Sequence, residues 1–286
     1  MVAPPQPIRL AAVSYLNTLP LIEGFEANRD VELTLAAPSH LLPLLESGDA
    51  DLALAPVIDA LRSDAELELV PAGAIGCDGA TLTVRLYSAV PFEQARRVHA
   101  DADSHTSVTL ARWLLATRFN ARPEFVEFDA RERVEVAGDT GGAPAEWPET
   151  MLMIGDKVVT DSPPAVRYPH QLDLGEAWRA ETGLPFVYAV WMRRAGDAPS
   201  PRERAAIALL DRQRRYNASR LDWIVTRRAT AKRWPTDLAR DYLGRHLRFD
   251  VGDPQREAIA RFFAEASALG AAPDRPARWL ADPCPA

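Results

Sequence analysis

Residues that build disulfide networks and metal centres are scarce in this sequence. The 286 residues include two cysteines, Cys77 and Cys284, which are too few for a disulfide framework. The five histidines are scattered and include no His-x-x-x-His pair, so we expect no metal site. Neither a Walker loop nor a G-x-S-x-G elbow occurs, which excludes those nucleotide-binding and hydrolase signatures.

Long apolar runs and an excess of positive charge are also lacking. No uninterrupted apolar stretch approaches the roughly 20 residues of a membrane span. The first residues have no basic start of the kind that opens a secretory signal. We therefore expect a cytoplasmic protein with no membrane partner. The net charge is −7, and the C-terminal arginines alternate with acidic residues at helical spacing, so we expect no nucleic-acid partner.

A polar cluster follows the first predicted strand. The apolar run over residues 8–13 is typical of a buried strand, and a polar octet over residues 14–21 comes directly after it. Parallel α/β sheets place ligands at the carboxyl ends of their strands, so this octet is a candidate ligand site. Its candidate contact residues are Ser14, Tyr15, Asn17 and Thr18. The alternative is an ordinary helix cap and turn.

The order of predicted elements favours an α/β fold with two lobes. Strands and helices first alternate as in a parallel sheet, residues 184–191 are apolar on both faces like a central strand, and helical periodicity follows Pro201. We predict lobe 1 from residues 1–87 and 190–286, and lobe 2 from residues 88–189. Mixed or parallel sheets flanked by helices, with a ligand cleft between the lobes, would form a type 2 periplasmic-binding-protein-like fold.

Four segments would converge on that cleft. They are residues 14–18, the strand end over residues 55–57, with Pro56 and Val57, the turn over residues 77–83, and residues 103–108. In the turn, Gly79 permits close backbone approach and Thr83 supplies a hydroxyl. Asp156 follows a further strand, where it either caps the next helix or orients a donor in the cleft.

The strongest chemical signal is a hydroxyl cluster at a predicted helix start. Ser104, Thr106 and Ser107 lie where a first helical turn leaves its N–H groups unsatisfied. Such a turn attracts an anion by about 0.3–2 kcal/mol, which predicts a ligand bearing a carboxylate or phosphate. The alternative is a helix cap with more hydroxyls than it needs. We interpret His105, among them, as a solvent-facing helix residue, and a role as a base stays open.

Seven stretches of the chain resemble sequence motifs of one known family and occur in the same order as in that family. Six are short and cover residues 14–21, 51–57, 77–79, 104–108, 154–156 and 173–175. The longest and most specific covers residues 182–191. Together they resemble the chorismate dehydratase family of the futalosine route to menaquinone. The longest block resembles that family more than the 1,4-dihydroxy-6-naphthoate synthases of the same route.

The resemblance implies dehydration of chorismate, a small dianion, to 3-[(1-carboxyvinyl)oxy]benzoate. Loss of the C3 proton and the C4 hydroxyl makes the ring aromatic, so no cofactor or metal is required. The resemblance makes Asn17 and Thr83 the expected catalytic residues. We hypothesise that they bind the departing hydroxyl and the carboxylates, while the enolpyruvyl carboxylate of the substrate takes the proton.

The remaining candidates are expected to bind the substrate. They are Ser14, Tyr15, Thr18, Pro56, Val57, Gly79, Ser104, Thr106, Ser107 and Asp156. Two alternatives to the dehydratase stay open. One is a non-catalytic protein that binds an aromatic anion, and the other is a naphthoate synthase that acts on a cyclic futalosine derivative.

Overall fold

Short apolar runs separated by helical segments give the chain two β-sheets. The computed structural model describes residues 7–101, 104–128, 147–196 and 198–281. In these residues the strands are β1 (Ile8–Val13), β2 (Val31–Ala36), β3 (Leu52–Pro56), β4 (Leu67–Cys77), β5 (Val84–Ser88), β6 (Arg97–Ala100), β7 (Glu124–Glu127), β8 (Thr150–Ile154), β9 (His170–Asp173), β10 (Phe186–Arg194) and β11 (Leu247–Arg248). The α-helices there are α1 (Leu19–Ile22), α2 (Pro38–Ser47), α3 (Asp59–Arg62), α4 (His105–Phe119), α5 (Lys157–Thr160), α6 (Leu174–Thr182), α7 (Pro201–Ser219), α8 (Leu221–Arg228), α9 (Thr236–Asp241) and α10 (Asp253–Ala268).

The first sheet has the strand order β11-β4-β10-β3-β1-β2. β1 pairs in parallel with β2 and β3, as the early alternation of strands and helices predicts. β10 lies antiparallel between β3 and β4 and is buried over most of its length. The prediction of a central buried strand within residues 184–191 is therefore confirmed, and the strand begins at Phe186.

The second sheet has the strand order β7-β6-β8-β5-β9. β6 pairs in parallel with β7 and β8, whereas β5 is antiparallel to both β8 and β9. Both sheets are thus mixed, and helices connect their strands. The predicted α/β class is confirmed.

The chain crosses between the two sheets twice. It leaves the first sheet through residues 78–83 and returns after β9 through α6. Residues 84–87, assigned to lobe 1 from the sequence, pair with β8 and β9 and so lie in the second sheet. Residues 186–189, assigned to lobe 2, belong to β10 in the first sheet. Both crossings come earlier than predicted, because periodicity locates a strand but not the sheet that it joins.

The region after Pro201 is mostly helical, as predicted. Near the end of this region α9 ends at Asp241, and the chain continues as a π-helical turn, Tyr242–His246. β11 follows directly, and its Leu247 pairs with Cys77 at the end of β4. The π-helical turn, a feature that often marks functional sites, therefore lies next to the first crossing.

Aromatic side chains fill part of the core beside the second crossing. The ring centroids of Trp178 and Phe186 are 5.2 Å apart, and those of Phe186 and Phe262 are 5.0 Å apart. Trp191 is fully buried as well. Edge-to-face contacts of this kind add to the burial of apolar area, so α6 and α10 are packed firmly on β10.

Candidate active site

A cleft is lined by residues from both sheets. Val13, Leu54 and Ile75 of the first sheet and Val84 and Ile154 of the second supply apolar walls. The space not filled by protein atoms, including the open mouth, is about 600 Å³. Small-molecule sites combine apolar walls with a few polar groups. The cleft therefore has the character of a site for a small organic ligand.

The start of α4 supplies the first polar group, which we call the helix group: Ser104, His105, Thr106 and Ser107. All four residues line the cleft. Ser104 is the residue before α4, yet its hydroxyl makes no capping bond. Ser104 Oγ is buried and has no hydrogen-bond partner in the described part of the chain. A buried unpaired hydroxyl costs about 1–3 kcal/mol, so it suits a ligand atom better than a helix cap.

The other two hydroxyls of the helix group differ from each other. The Thr106 hydroxyl donates to the Tyr188 carbonyl at 3.2 Å and accepts from the Ile58 N–H at 3.4 Å. Thr106 therefore ties α4 to the first sheet. Ser107 is 5% exposed and faces the cleft. The cap interpretation is thus wrong for Ser104, and Thr106 serves the fold.

A second polar group, which we call the crossing group, consists of Asn17, Thr83 and Tyr242. Thr83 Oγ1 and Tyr242 Oη are 2.6 Å apart, although the two residues are 159 positions apart in the chain. Asn17 also hydrogen-bonds to the Tyr242 phenol, and its Oδ1 accepts from the Thr18 hydroxyl at 3.3 Å. Burial raises the pKa of Tyr242, against the opposing effect of its bonds to Thr83 and Asn17. The phenol therefore stays protonated near neutral pH.

Asp173 holds the first crossing in place. Its carboxylate accepts the N–H groups of Thr81 at 2.9 Å and Leu82 at 2.7 Å, and it caps α6 through the Gly175 N–H at 3.1 Å. Leu82 has a φ of +71°. This left-handed conformation costs a non-glycine residue about 1–3 kcal/mol, and it persists only where the surrounding contacts enforce it. Because Thr83 comes next, Asp173 determines where the Thr83 hydroxyl lies.

Tyr15 reaches the cleft across the turn that follows β8. Gly155 in this turn has a φ of +66°, and a β-carbon there would lie 3.0 Å from the Tyr15 ring. The Gly155 N–H donates to the Thr83 carbonyl at 2.9 Å. Glycine is thus required for both conformation and space, and the turn keeps Tyr15 beside Thr83. Pro56, at the end of β3, also lines the cleft.

Four of the predicted contact residues do not line the cleft, for local reasons. Ser14 is exposed, and its carbonyl accepts a hydrogen bond from Lys232. Thr18 and Val57 are fully buried. Gly79 has a φ of +122°, but no atom lies within 4 Å of the place where a β-carbon would stand. Its lack of a side chain therefore serves the turn and not a close backbone approach.

Asp156 is the fifth predicted contact residue outside the cleft lining. Its side chain does not cap α5. Both carboxylate oxygens lie 3.2 Å from the Leu16 nitrogen, which donates to them. Burial raises the pKa of Asp156, an effect that the Leu16 hydrogen bond opposes. Asp156 thus ties the turn after β8 to the N-terminal octet, directly beside Asn17.

Three residues of the site were missed from the sequence. Tyr242 lies in the C-terminal region, outside every family motif. Tyr188 lines the cleft from β10, with its Oη 2.7 Å from Thr81 Oγ1. Asp59 Oδ1 lies 2.8 Å from His105 Nδ1. Asp59 and Tyr188 are single polar residues within apolar stretches, a signal that identifies no partner by itself, and Tyr242 lies among charged residues.

Metal-binding clusters and membrane-spanning helices are both absent from the part of the chain that the structure describes. No group of three or more His, Cys, Asp or Glu side chains is arranged there to hold a metal ion. No helix there combines the length and apolar composition needed to cross a bilayer.

Sequence comparison identifies similar proteins along nearly the whole chain. A family model described as menaquinone biosynthesis matches residues 8–268. The chorismate dehydratase of Thermus thermophilus is 28% identical over 287 residues, which cover 94% of this chain and 98% of that protein.

Solved structures with little sequence identity share the fold. The alkanesulfonate-binding protein SsuA from Xanthomonas axonopodis pv. citri, bound to MOPS, has a TM-score of 0.60 at 12% identity and covers 96% of this chain and 97% of its own. A Candida albicans protein with the generic periplasmic-binding-protein fold has a TM-score of 0.63 at 11% identity and covers 95% and 92%. The predicted periplasmic-binding-protein-like fold is therefore confirmed.

Proposed function

The chain belongs to the menaquinone-biosynthesis family, and from that premise we propose that it is a chorismate dehydratase. The reaction would convert chorismate to 3-[(1-carboxyvinyl)oxy]benzoate and water. The similarity to a chorismate dehydratase over 94% of the chain supports this assignment.

One observation of the site carries the proposal. Asn17 and Thr83, the two residues that the family resemblance implies as catalytic, meet through the Tyr242 phenol and line one cleft. The same cleft receives the start of α4, where Ser104 Oγ is buried without a hydrogen-bond partner among the described residues. A dianionic ring with a hydroxyl leaving group needs both an anion-binding end and donors for that hydroxyl.

The proposed elimination balances without an added reagent. The C3–H bond of the ring breaks, and its electron pair forms the new C3–C4 double bond. The C4–O bond breaks at the same time, and the departing hydroxide takes up the proton lost from C3, passed on by the enolpyruvyl carboxylate, to leave as water. The ring becomes benzenoid, which supplies the driving force.

The crossing group would act as a set of neutral donors. Asn17 and Thr83 are poor bases near neutral pH, and the Tyr242 phenol keeps its proton. They would hydrogen-bond to the leaving oxygen as negative charge develops on it, which is where fixed donors lower a barrier most. The C3 proton would pass to the enolpyruvyl carboxylate of the substrate itself. Apolar walls would limit the access of water to this step.

Ultraviolet spectroscopy tests the proposal directly. The purified protein is incubated with chorismate, and we expect the diene absorbance to be replaced by that of a substituted benzoate. Chromatography against authentic 3-[(1-carboxyvinyl)oxy]benzoate then identifies the product. The Asn17→Ala protein, prepared in the same way, controls for contaminating activity. If chorismate is unchanged by the wild-type protein, the proposal is wrong.

A non-catalytic binding protein is the second candidate. The structural likeness to SsuA, a binding protein, favours it. Such a protein would bind chorismate, as calorimetry would report, and leave its absorbance unchanged. The same incubation therefore separates an enzyme from a binder.

A further inference from the structure

The cleft contains one histidine that is held by a buried carboxylate. His105 is the first residue of α4, and its Nδ1 lies 2.8 Å from Asp59 Oδ1. Asp59 is completely buried, whereas the His105 side chain is 31% exposed and lines the cleft. An ionised carboxylate can only accept hydrogen bonds, so Nδ1 carries the hydrogen. Nε2 is then the ring nitrogen whose protonation decides the charge of His105.

The surroundings of Asp59 favour a protonated partner. Asp59 Oδ2 is buried and has no hydrogen-bond partner in the described residues. A fully buried carboxylate is costly unless a cation pairs with it. The contact that the structure gives its other oxygen is the His105 ring. An imidazolium at this position therefore compensates the buried charge better than a neutral imidazole does.

Arginines extend this charge cluster along α3 and α4. Arg62 Nη2 donates to Thr109 Oγ1 at 3.0 Å, and Thr109 Oγ1 donates to the His105 carbonyl at 3.1 Å. Burial lowers the pKa of Arg62, whereas the Asp59 charge raises it and the neighbouring Arg112 lowers it. Asp59 thus contacts His105 and interacts electrostatically with Arg62, which in turn lies near Arg112. Of these residues, His105 lines the cleft.

We propose that His105, held by Asp59, is the cationic residue that binds a carboxylate of the substrate. It would act together with Ser104, the neighbouring residue, whose buried hydroxyl has no hydrogen-bond partner in the part of the chain that the structure describes. In the protonated ring Nε2 is a donor and not a base, so His105 binds and orients the dianion and does not take the C3 proton. The inference rests on the proposed function for the identity of the ligand, chorismate.

Steady-state kinetics on chorismate separates a binding role from a catalytic one. We expect His105→Ala to raise KM by about 10-fold or more, the usual scale for one lost charged contact, and to change kcat by less than about 3-fold. Asp59→Asn should raise KM by a smaller factor. His170→Ala is the matched control, because His170 lies at the end of β9 remote from Asp173 and does not line the cleft. Thermal melting of every variant identifies those that fail to fold.

The pH dependence of KM gives a second readout. A protonated imidazole binds a carboxylate and a neutral one does not, so wild-type KM should rise with pH as the ring loses its proton. His105→Arg keeps a permanent cation that Asp59 can pair, and its KM should stay flat as the pH rises. A wild-type KM that does not change with pH would overturn the inference. So would a His105→Ala protein with a normal KM and a much reduced kcat, which would mark a base.

Failure of the proposed function would be recognised separately. A wild-type protein that leaves chorismate intact would disprove the dehydratase assignment. Calorimetric titration with chorismate would then replace KM by Kd for the same variants, with the same expected pattern. Absence of any chorismate binding by the wild-type protein would contradict both proposals.

Discussion

The two polar groups of the cleft differ in how the chain builds them. The crossing group joins Asn17, Thr83 and Tyr242 from distant segments through side-chain hydrogen bonds. The helix group is four consecutive residues at the start of α4, and one of them, His105, contacts a buried carboxylate. Neutral donors that hydrogen-bond to one another are held in fixed positions toward the reacting atoms. A helix start and a protonated histidine ring instead attract an anionic ligand. We therefore expect changes in the crossing group to lower kcat and changes in the helix group to raise KM.

The largest effect should come from removing the donors of the crossing group. We expect Asn17→Ala and Thr83→Ala each to lower kcat for chorismate by about 100-fold or more, the scale for one lost transition-state donor. KM should change little. Thr83→Ser keeps the hydroxyl and should retain most of the wild-type kcat. If both alanine variants keep near-wild-type kcat, these two residues are not catalytic.

Tyr242 tests whether the link between Asn17 and Thr83 matters. Tyr242→Phe removes the phenol and leaves the Thr83 hydroxyl without its 2.6 Å partner. We expect kcat to fall by about 10-fold, which corresponds to about 1.4 kcal/mol of lost positioning. Tyr168→Phe is the control, because this buried phenol donates to the Pro148 carbonyl and does not line the cleft. Equal kcat values for the two variants would show that the Tyr242 phenol does not contribute to catalysis.

Asp173 tests the positioning of the crossing. In Asp173→Asn an amide N–H group would face the Leu82 N–H, so the left-handed residue would lose its restraint. We expect the free energy of unfolding in urea to fall by about 2 kcal/mol and kcat to fall by about 5-fold. Asp51→Asn should lower stability without lowering kcat, because Asp51 binds Arg9 outside the cleft lining. A stable Asp173→Asn protein with normal kcat would show that the Asp173 carboxylate is not needed to position residues 78–83.

Ser104 gives the smallest and most discriminating effect. We expect Ser104→Ala to raise KM by about 3-fold and to leave the free energy of unfolding unchanged or slightly higher, because the lost hydroxyl is buried and unpaired. Ser200 is a matched control, since its hydroxyl does cap α7 by accepting the Glu203 N–H at 3.2 Å. Ser200→Ala should destabilise the protein by about 1 kcal/mol without changing KM. Similar losses of stability in both variants would restore the cap interpretation of Ser104.

Much of the architecture was predictable because it depends on local pattern. A short apolar run located β1, and the run that is apolar on both faces located β10 as a central strand. Glycine at position 155 and proline at position 56 were recognised as parts of motifs before their places at the cleft were known. Periodicity of this kind is set by neighbouring residues, which is why it can be read without the fold.

The sequence by itself determined the secondary-structure elements, the family motifs and the hydroxyl cluster at the start of α4. Only the tertiary structure decided that residues 84–88 join the second sheet and that Tyr242 and Asp59 reach the site. It also decided that the Ser104 hydroxyl has no hydrogen-bond partner among the described residues. The physical reason is distance along the chain. The contacts that select these residues join positions 46 and 159 apart, and no local pattern encodes a partner at that separation.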